Sequence, residues 1–296
     1  MKKTETTASS LSQPRKSASH PCRLEIKAEA IAHNLALLKG KKEALCMVKA
    51  DAYGLGIETV APLLYDLGVR FFGVAFLEEA LALKPYIRDG QILLLFTRPE
   101  DAPLTAEMGL HVAVDDLATL RALEAQKKPC KVHLHLNTGM NRLGCSPSEF
   151  APLVDKVRTS STLQLEGLMT HLPCAEDKAL SRLQMLLFHE QIRGLKARYI
   201  HAANSAAALN GIDTGCNLVR IGLGLYGIHP PLQHALALES EIVKIHEVSA
   251  GEGVSYGHRF VAKRASRVAV IPFGYADGMP WAASERMQVR IEEMLL

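Results

Sequence analysis

The run Ala44-Leu45-Cys46-Met47-Val48-Lys49-Ala50-Asp51-Ala52-Tyr53-Gly54-Leu55-Gly56 sets the reading of the whole chain. Ala44–Val48 is short, apolar and bounded by a glycine-punctuated turn, the pattern of a buried strand. Helical periodicity follows over Glu58–Leu67, and a second apolar run opens at Phe71. A strand, a turn and a helix thus form one unit, and the unit recurs. Lys49 stands where the first strand ends. Burial disfavours an ammonium and lowers its pKa, which makes a lysine a trap for carbonyls or a base near neutral pH. A strand-end lysine that simply snorkels to solvent is the other reading.

Outward from this unit, strand-like runs appear at Ala44–Val48, Phe71–Ala75, Ile92–Phe96, His111–Val114, Lys131–Leu136, Leu165–Met169, Arg198–His201 and Asn217–Ile221. Helical patterns separate nearly all of them: Glu58–Leu67, Leu77–Pro85, Glu100–Met108, Asp115–Ala125, Ser146–Arg158, Ala179–Lys196 and a short one from Asn204. Upstream, Arg23–Ile26 reads as a strand outside this series, and a helix follows with Ile31, Leu35 and Leu38 inward and Asn34 outward. Eight β-then-α units predict an α/β fold, a (β/α)8 TIM-type barrel. An open doubly wound sheet is the alternative. The barrel is preferred because residues with chemistry in them sit at many successive strand ends, which a barrel gathers at one mouth.

After Gly227–Pro231 the texture changes. Val243–Val248, Val254–Tyr256 and Val268–Ile271 read as short alternating strands with glycine-containing turns, the start of a second, all-β domain. Its last stretch, Met287–Leu296, reads like an unfinished strand. The expected divisions are a disordered extension over 1–21, rich in Ser, Thr, Lys and Pro, a barrel over 22–235 and a partial β domain over 236–296.

Composition narrows the partners. An apolar fraction of 48% over 296 residues supports a large core, and a net charge of +3 without Lys/Arg blocks gives no footing for nucleic acid. The six cysteines are scattered without a CxxC pair, which fits reduced thiols in the cytoplasm. No apolar run reaches the ~20 residues of a membrane span, and the N-terminus has no signal-like apolar core.

The strand ends carry the chemistry. The first turn offers Lys49 and Tyr53; the fifth strand runs into Asn137-Thr138-Gly139-Met140-Asn141-Arg142-Leu143-Gly144, which presents a guanidinium. The sixth ends at Thr170-His171, the seventh at His201 followed by Asn204-Ser205, and the eighth at Arg220-Ile221-Gly222-Leu223-Gly224. A serine at a helix start plus glycine-loop N–H groups can cradle a phosphate, which barrels favour after their seventh and eighth strands. Taken alone, Ser205 reads first as a plain N-cap. His133 and His135 share a strand face, but no third residue completes a metal site.

The segments VKADAYGLG, NTGMNRLG, LMTHL, HAANSAA, NLVRIGLGLYG, GVSYG and IPFGYADG, in this order from about Arg23 onward, resemble alanine racemase, a fold-type III pyridoxal-phosphate enzyme. The resemblance implies that Lys49 holds pyridoxal 5'-phosphate and serves as one catalytic base, with Tyr256 the base on the opposite face. It implies His171 and Arg220 as the chain that supports this tyrosine, with Arg220 also facing the pyridine nitrogen. Arginine has donors only, so that nitrogen stays unprotonated and a weak electron sink, which favours racemisation over aminotransfer. Tyr53, His201, Asn204, Ser205, Gly222 and Leu223 are implied in cofactor binding, and Arg142 and Tyr275 in binding substrate. A head-to-tail homodimer, with an intrachain site as the competing possibility, and alanine as substrate with D-alanine for peptidoglycan as product, complete the implication.

Two departures from the family pattern stand out. The family places a carbamylated lysine where this chain has His135, and an imidazole cannot carry that group. A Cys-Met-Asp motif and a later phosphate-contacting tyrosine are not found, so the β domain is expected to be incomplete. A non-catalytic pyridoxal-phosphate-binding homologue is therefore the competing expectation.

Overall fold

A computed structural model describes residues 21–284, 286–292 and 294–295. The extension expected over 1–21 lies outside these except for Pro21. Among the described residues no helix is long and apolar enough to cross a membrane. By its internal contacts the chain divides into two units, 27–235 and a second made of the N-terminal segment to residue 26 with 236–296.

The first strand, β1 (Cys22–Ile26), belongs to the second unit, where it pairs antiparallel with β10 (Leu236–Ser240). The sequence reading had set it at the start of the barrel domain. Its partner lies more than 200 residues away, and no local pattern encodes such a pairing.

The first unit is a closed barrel of eight parallel strands: β2 (Glu43–Met47), β3 (Phe71–Val74), β4 (Gln91–Leu94), β5 (His111–Val114), β6 (Cys130–His135), β7 (Leu163–Met169), β8 (Tyr199–His201) and β9 (Leu218–Ile221). β2 closes the ring by pairing with β9. All eight expected strands are present, and the open-sheet alternative falls. Parallel strands covered on both faces read as unbroken apolar runs, and every residue of β3 and β5 is buried. Helices cover the outside. The helix Ile57–Asp66 shows why: Ile57, Val60, Ala61 and Leu64, at helical spacing, are all buried. Asp116 and Asp177 cap the helices that follow them, each accepting a backbone N–H at 2.8 and 2.9 Å.

Inside the ring, Leu45, Phe71, Leu93, Met169, Tyr199 and Leu218 form a packed core. Asn34, expected to face outward, is instead fully buried. Its amide donates to Leu225 O (2.9 Å) and Gln233 O (2.8 Å) and accepts from Gln233 N (2.8 Å), tying the helix Ala28–Lys39 to the segment after β9.

Among its described residues the second unit contains four separate two-stranded ladders. Besides β1–β10 these are β11 (Lys244–Val248) with β14 (Ser266–Val270), β12 (Gly253–Val254) with β13 (Phe260–Val261), and β15 (Arg290–Ile291) with β16 (Met294–Leu295). Tyr256, expected on a strand, instead opens a tight 3-10 turn over Tyr256–His258. The stretch read as one unfinished strand is the short β15–β16 pair, and Leu296 lies outside the described residues.

Candidate active site

A cavity of about 810 Å³ opens at the carboxyl ends of the barrel strands, within the usual size of a small-molecule site. Its wall includes Lys49, Tyr53, His135, Arg142, His171, Asn204, Ser205, Arg220, Gly222 and Leu223. Nine of the twelve residues singled out from sequence therefore meet at one place: Lys49, Tyr53, Arg142, His171, Asn204, Ser205, Arg220, Gly222 and Leu223. Tyr256 and Tyr275 belong to the second unit, where they are 83% and 66% exposed. His201, expected to touch the cofactor, is fully buried and is not among the lining residues. It sits behind Arg220 instead, because an inward side chain at the end of β8 points into the barrel interior.

Lys49 is half-buried and immediately precedes an unusual turn. Ala50, Asp51, Ala52 and Tyr53 all have φ between +50° and +61°, a left-handed turn made without glycine. Such a conformation costs roughly 1–2 kcal/mol per residue, so its surroundings must hold it. Glu79 does much of this: one carboxylate oxygen accepts Ala50 N at 2.7 Å, and the other accepts Ala75 N (2.7 Å) and Phe76 N (3.1 Å). Asp51 Oδ1 accepts Ile57 N at 2.7 Å on the far side. The Tyr53 ring is brought beside Tyr226, with centroids 6.0 Å apart. Neither the turn nor its Glu79 clamp was visible in the sequence, since Ala-Asp-Ala-Tyr has no left-handed signature.

At the opposite wall Ser205 Oγ accepts Gly222 N at 3.1 Å and Gly224 N at 3.3 Å. A Cβ added at Gly222 would lie 2.0 Å from the Tyr53 hydroxyl oxygen, so that glycine is required by close approach. Two N–H groups, a serine hydroxyl and a phenol hydroxyl thus converge. Asn204 caps its short helix by accepting Ala207 N (2.9 Å) and donates to Leu172 O (2.9 Å).

Arg220, 3% exposed, holds the floor of the cavity. Its guanidinium donates to Thr170 O (2.8 Å), His201 O (3.1 Å) and Ala202 O (3.2 Å), and to the Nδ1 atoms of His201 (2.7 Å) and His171 (2.9 Å). Burial pulls its pKa down to about 10, which still leaves it charged at neutral pH. Burial, and then the neighbouring Arg220 and Arg142, pull His171 down to about 3. The same three causes act on His135, also at about 3. Both imidazoles are therefore neutral. Since His171 Nδ1 accepts from Arg220, its proton sits on Nε2. Asn204 Nδ2 approaches that nitrogen to 3.4 Å. Two donors face each other there, so the contact is not a hydrogen bond and the His171 Nε2–H stays available.

Arg142 is exposed on the cavity rim, on a loop shaped by Asn137. The Asn137 side-chain Oδ1 accepts Gly139 N (2.9 Å) and Asn141 N (3.1 Å), and its Nδ2 donates to Asn141 Oδ1 (2.9 Å). Asn141 takes φ +54°, a conformation asparagine tolerates better than most residues. His133, paired with His135 in the sequence reading, turns away from the cavity toward His111 and His201. His111 was passed over there as one more residue of an apolar strand.

The likenesses to known proteins agree with this geometry. The family model for the alanine racemase N-terminal domain matches residues 26–230, and the one for the alanine racemase C-terminal domain matches residues 235–296. An alanine racemase of Ligilactobacillus salivarius is 37% identical over 277 residues, covering 86% of this chain and 75% of that protein. The crystal structure of alanine racemase from D-cycloserine-producing Streptomyces lavendulae superposes with a TM-score of 0.86 at 29% identity, over 94% of this chain and 80% of the other. Histidine racemase from Leuconostoc mesenteroides superposes with a TM-score of 0.80 at 27% identity, over 90% and 77% of the two chains.

Proposed function

The chain belongs to the alanine racemase family, and from that premise we propose that it interconverts L- and D-alanine with pyridoxal 5'-phosphate held on Lys49. The observation that carries this reading is the convergence on one cavity of an amine (Lys49), a cradle of hydroxyls and glycine N–H groups (Tyr53, Ser205, Gly222) and a buried guanidinium (Arg220). These are an attachment point, an anion site and a ring contact, and they fit the cofactor's aldehyde, phosphate and pyridine nitrogen. Leu223 and Asn204 border the phosphate end and Arg142 takes the substrate carboxylate.

When bound, pyridoxal phosphate supplies an electron-withdrawing ring that acidifies the α C–H of an attached amino acid. Inversion needs a base on each face of that carbon. Lys49 Nζ, freed once the substrate amine replaces it, would take or return the proton on one face. Tyr256 Oη serves the other, and a phenol, being a weak acid, needs a helper to act as a base. The neutral His171, with Nδ1 engaged by Arg220, keeps an Nε2–H to donate to that phenol oxygen. Arg220, a donor only, leaves the ring nitrogen an acceptor.

The high exposure of Tyr256 and Tyr275 supports a head-to-tail homodimer in which each barrel receives these tyrosines from the other subunit, Tyr275 lining the substrate entrance. D-alanine for peptidoglycan is then the product. The test is one preparation assayed twice, for cofactor absorbance and for deuterium exchange at the α-carbon of both alanine enantiomers. Absorbance lost in Lys49→Ala together with exchange in both directions is the expected result. Absorbance without exchange would remove the racemase claim and leave a cofactor-binding barrel.

A further inference from the structure

Arg220 raises a problem of charge. Each acceptor it meets is neutral: three backbone carbonyls and two imidazoles. A buried cation without an anion is costly, and aligned dipoles are one way to ease that cost. The barrel interior contains such an array.

Arginine can only donate, so His201 Nδ1 must accept and the His201 proton must sit on Nε2. That N–H donates to His133 Nδ1 at 2.9 Å. The His133 proton is forced in turn onto Nε2, which donates to His111 Nδ1 at 3.0 Å. Three imidazoles therefore point the same way, each lone pair toward Arg220 and each N–H away from it. The last N–H, His111 Nε2, is buried without a hydrogen-bond partner among the described residues. Reversing the array would aim an N–H at a guanidinium, so Arg220 fixes its direction.

The space for the array is shaped in the backbone. The β6–β7 register shifts between Val132 and His133, which sets His133 opposite Gly167. A Cβ at Gly167 would lie 2.0 Å from His133 Nδ1. Tyr199 stacks on the His133 ring (5.9 Å, 16°), and Phe71 lies 4.9 Å from His111. Lys131 and Arg198 are the charged groups that bear on His111. Burial holds all three imidazoles neutral: His111 falls to about 3, and His133 and His201 fall well below their usual range.

We infer that His201, His133 and His111 are positioning residues, a one-way imidazole chain that orients the Arg220 guanidinium and supports its charge from beneath the cavity. The catalytic consequence rests on the reading of Arg220 as the contact of the cofactor ring; the chain itself does not. With His201 on Nη1 and His171 on Nη2, an imidazole flanks each end of the guanidinium beside its three carbonyl contacts. Loosening the His201 side lets the donors swing away from the ring nitrogen.

The chain in solution, labelled with 15N-histidine, tests this before any cofactor is added. Long-range 1H–15N spectra between pH 6 and 8 are expected to show His111, His133 and His201 as neutral Nε2–H tautomers. His111→Phe should shift the His133 and His201 signals, and His111→Asn, whose Oδ1 takes the place of Nδ1, should bring the His201 signals back. An Nδ1–H tautomer or an imidazolium at His133 or His201 would overturn the chain, as would His201 signals blind to His111→Phe. If His111→Phe fails to fold, the wild-type spectra still decide. With pyridoxal phosphate and alanine, His111→Phe should lower kcat about fivefold, the weight of one hydrogen bond, at unchanged KM, with recovery in His111→Asn. Turnover indifferent to both variants would overturn the positioning role. A protein that shows the tautomers yet racemises nothing would refute the proposed function and leave the chain intact.

Discussion

The barrel and the β unit differ in where their apolar residues go. In the barrel, eight strands and their helices bury a continuous core, with Leu45, Phe72, Leu93 and Val132 fully enclosed. In the β unit, Ala262 is the only buried hydrophobic among the described residues, while Ile245, Phe260, Val261 and Val270 stand exposed. Two-stranded ladders are marginal without a further layer to cover them. The contrast teaches a difference in closure: the barrel buries its own core, and the β unit leaves its side chains exposed, Tyr256 among them, which on the function proposed above acts outside its own unit. The largest break of this contrast is expected from Tyr256→Phe. Loss of one general acid–base partner costs on the order of 10²–10⁴ in rate. Racemisation should collapse by about that factor while cofactor absorbance stays intact, because no barrel residue is touched. Equal loss of both would show that the β unit helps hold the cofactor.

Acid should strike the barrel next. His111, His133, His135, His171 and His201 are all held neutral by burial. A histidine whose folded pKa lies below its unfolded value near 6.5 binds more protons unfolded than folded in the interval between them. Stability therefore rises with pH from about 3, where His111, His135 and His171 titrate, to 6.5, and is lost as pH falls through that window. Each such group adds a slope of about 1.4 kcal/mol per pH unit. Urea midpoints at pH 7, 6 and 5, followed by near-ultraviolet dichroism, should drop more steeply than one proton allows. A flat profile would mean these imidazoles are charged or solvated.

A smaller effect is expected at the proposed phosphate cradle. In Gly222→Ala the new methyl carbon meets the Tyr53 hydroxyl 2.0 Å away, and Met47 Cβ at 3.2 Å blocks retreat on another side. Tyr53 must swing out. One lost phosphate contact corresponds to about tenfold in cofactor affinity, readable by absorbance titration. Unchanged affinity would separate Tyr53 from the phosphate.

How much of this was legible beforehand depends on the range of the interaction. The barrel strands announced themselves as apolar runs, because a parallel strand covered on both faces tolerates little else. Lys49, His171, Ser205 and Arg220 stood out at successive strand ends, which a barrel gathers, and they do line one cavity; the roles expected of them came from the resemblance of the motifs that carry them. What stayed hidden was set by distant partners. Asn34 looked like a solvent-facing helix residue, and only the backbone at 225 and 233 explains its burial. His111 looked like one polar residue in an apolar strand, yet its place is dictated by His133, 22 positions on. The left-handed turn over Ala50–Tyr53 is imposed by Glu79 and carries no glycine to announce it.

The finest probe of the contrast is a matched pair of truncations. Leu45, fully buried in the barrel core, should cost about 2–5 kcal/mol as Leu45→Ala, the usual range for a large-to-small change in a packed interior. Ile245 on β11 is 45% exposed, and Ile245→Ala should stay within about 0.5 kcal/mol at high dilution. Protein concentration then carries the information. If a second subunit covers the exposed face of β11 and β14, Ile245→Ala will weaken association and make the urea midpoint fall as the protein is diluted, whereas Leu45→Ala will lower it equally at every concentration. A loss for Ile245→Ala as large as that for Leu45→Ala, and independent of concentration, would show that the β unit has a core of its own and that the division drawn between the two units is wrong.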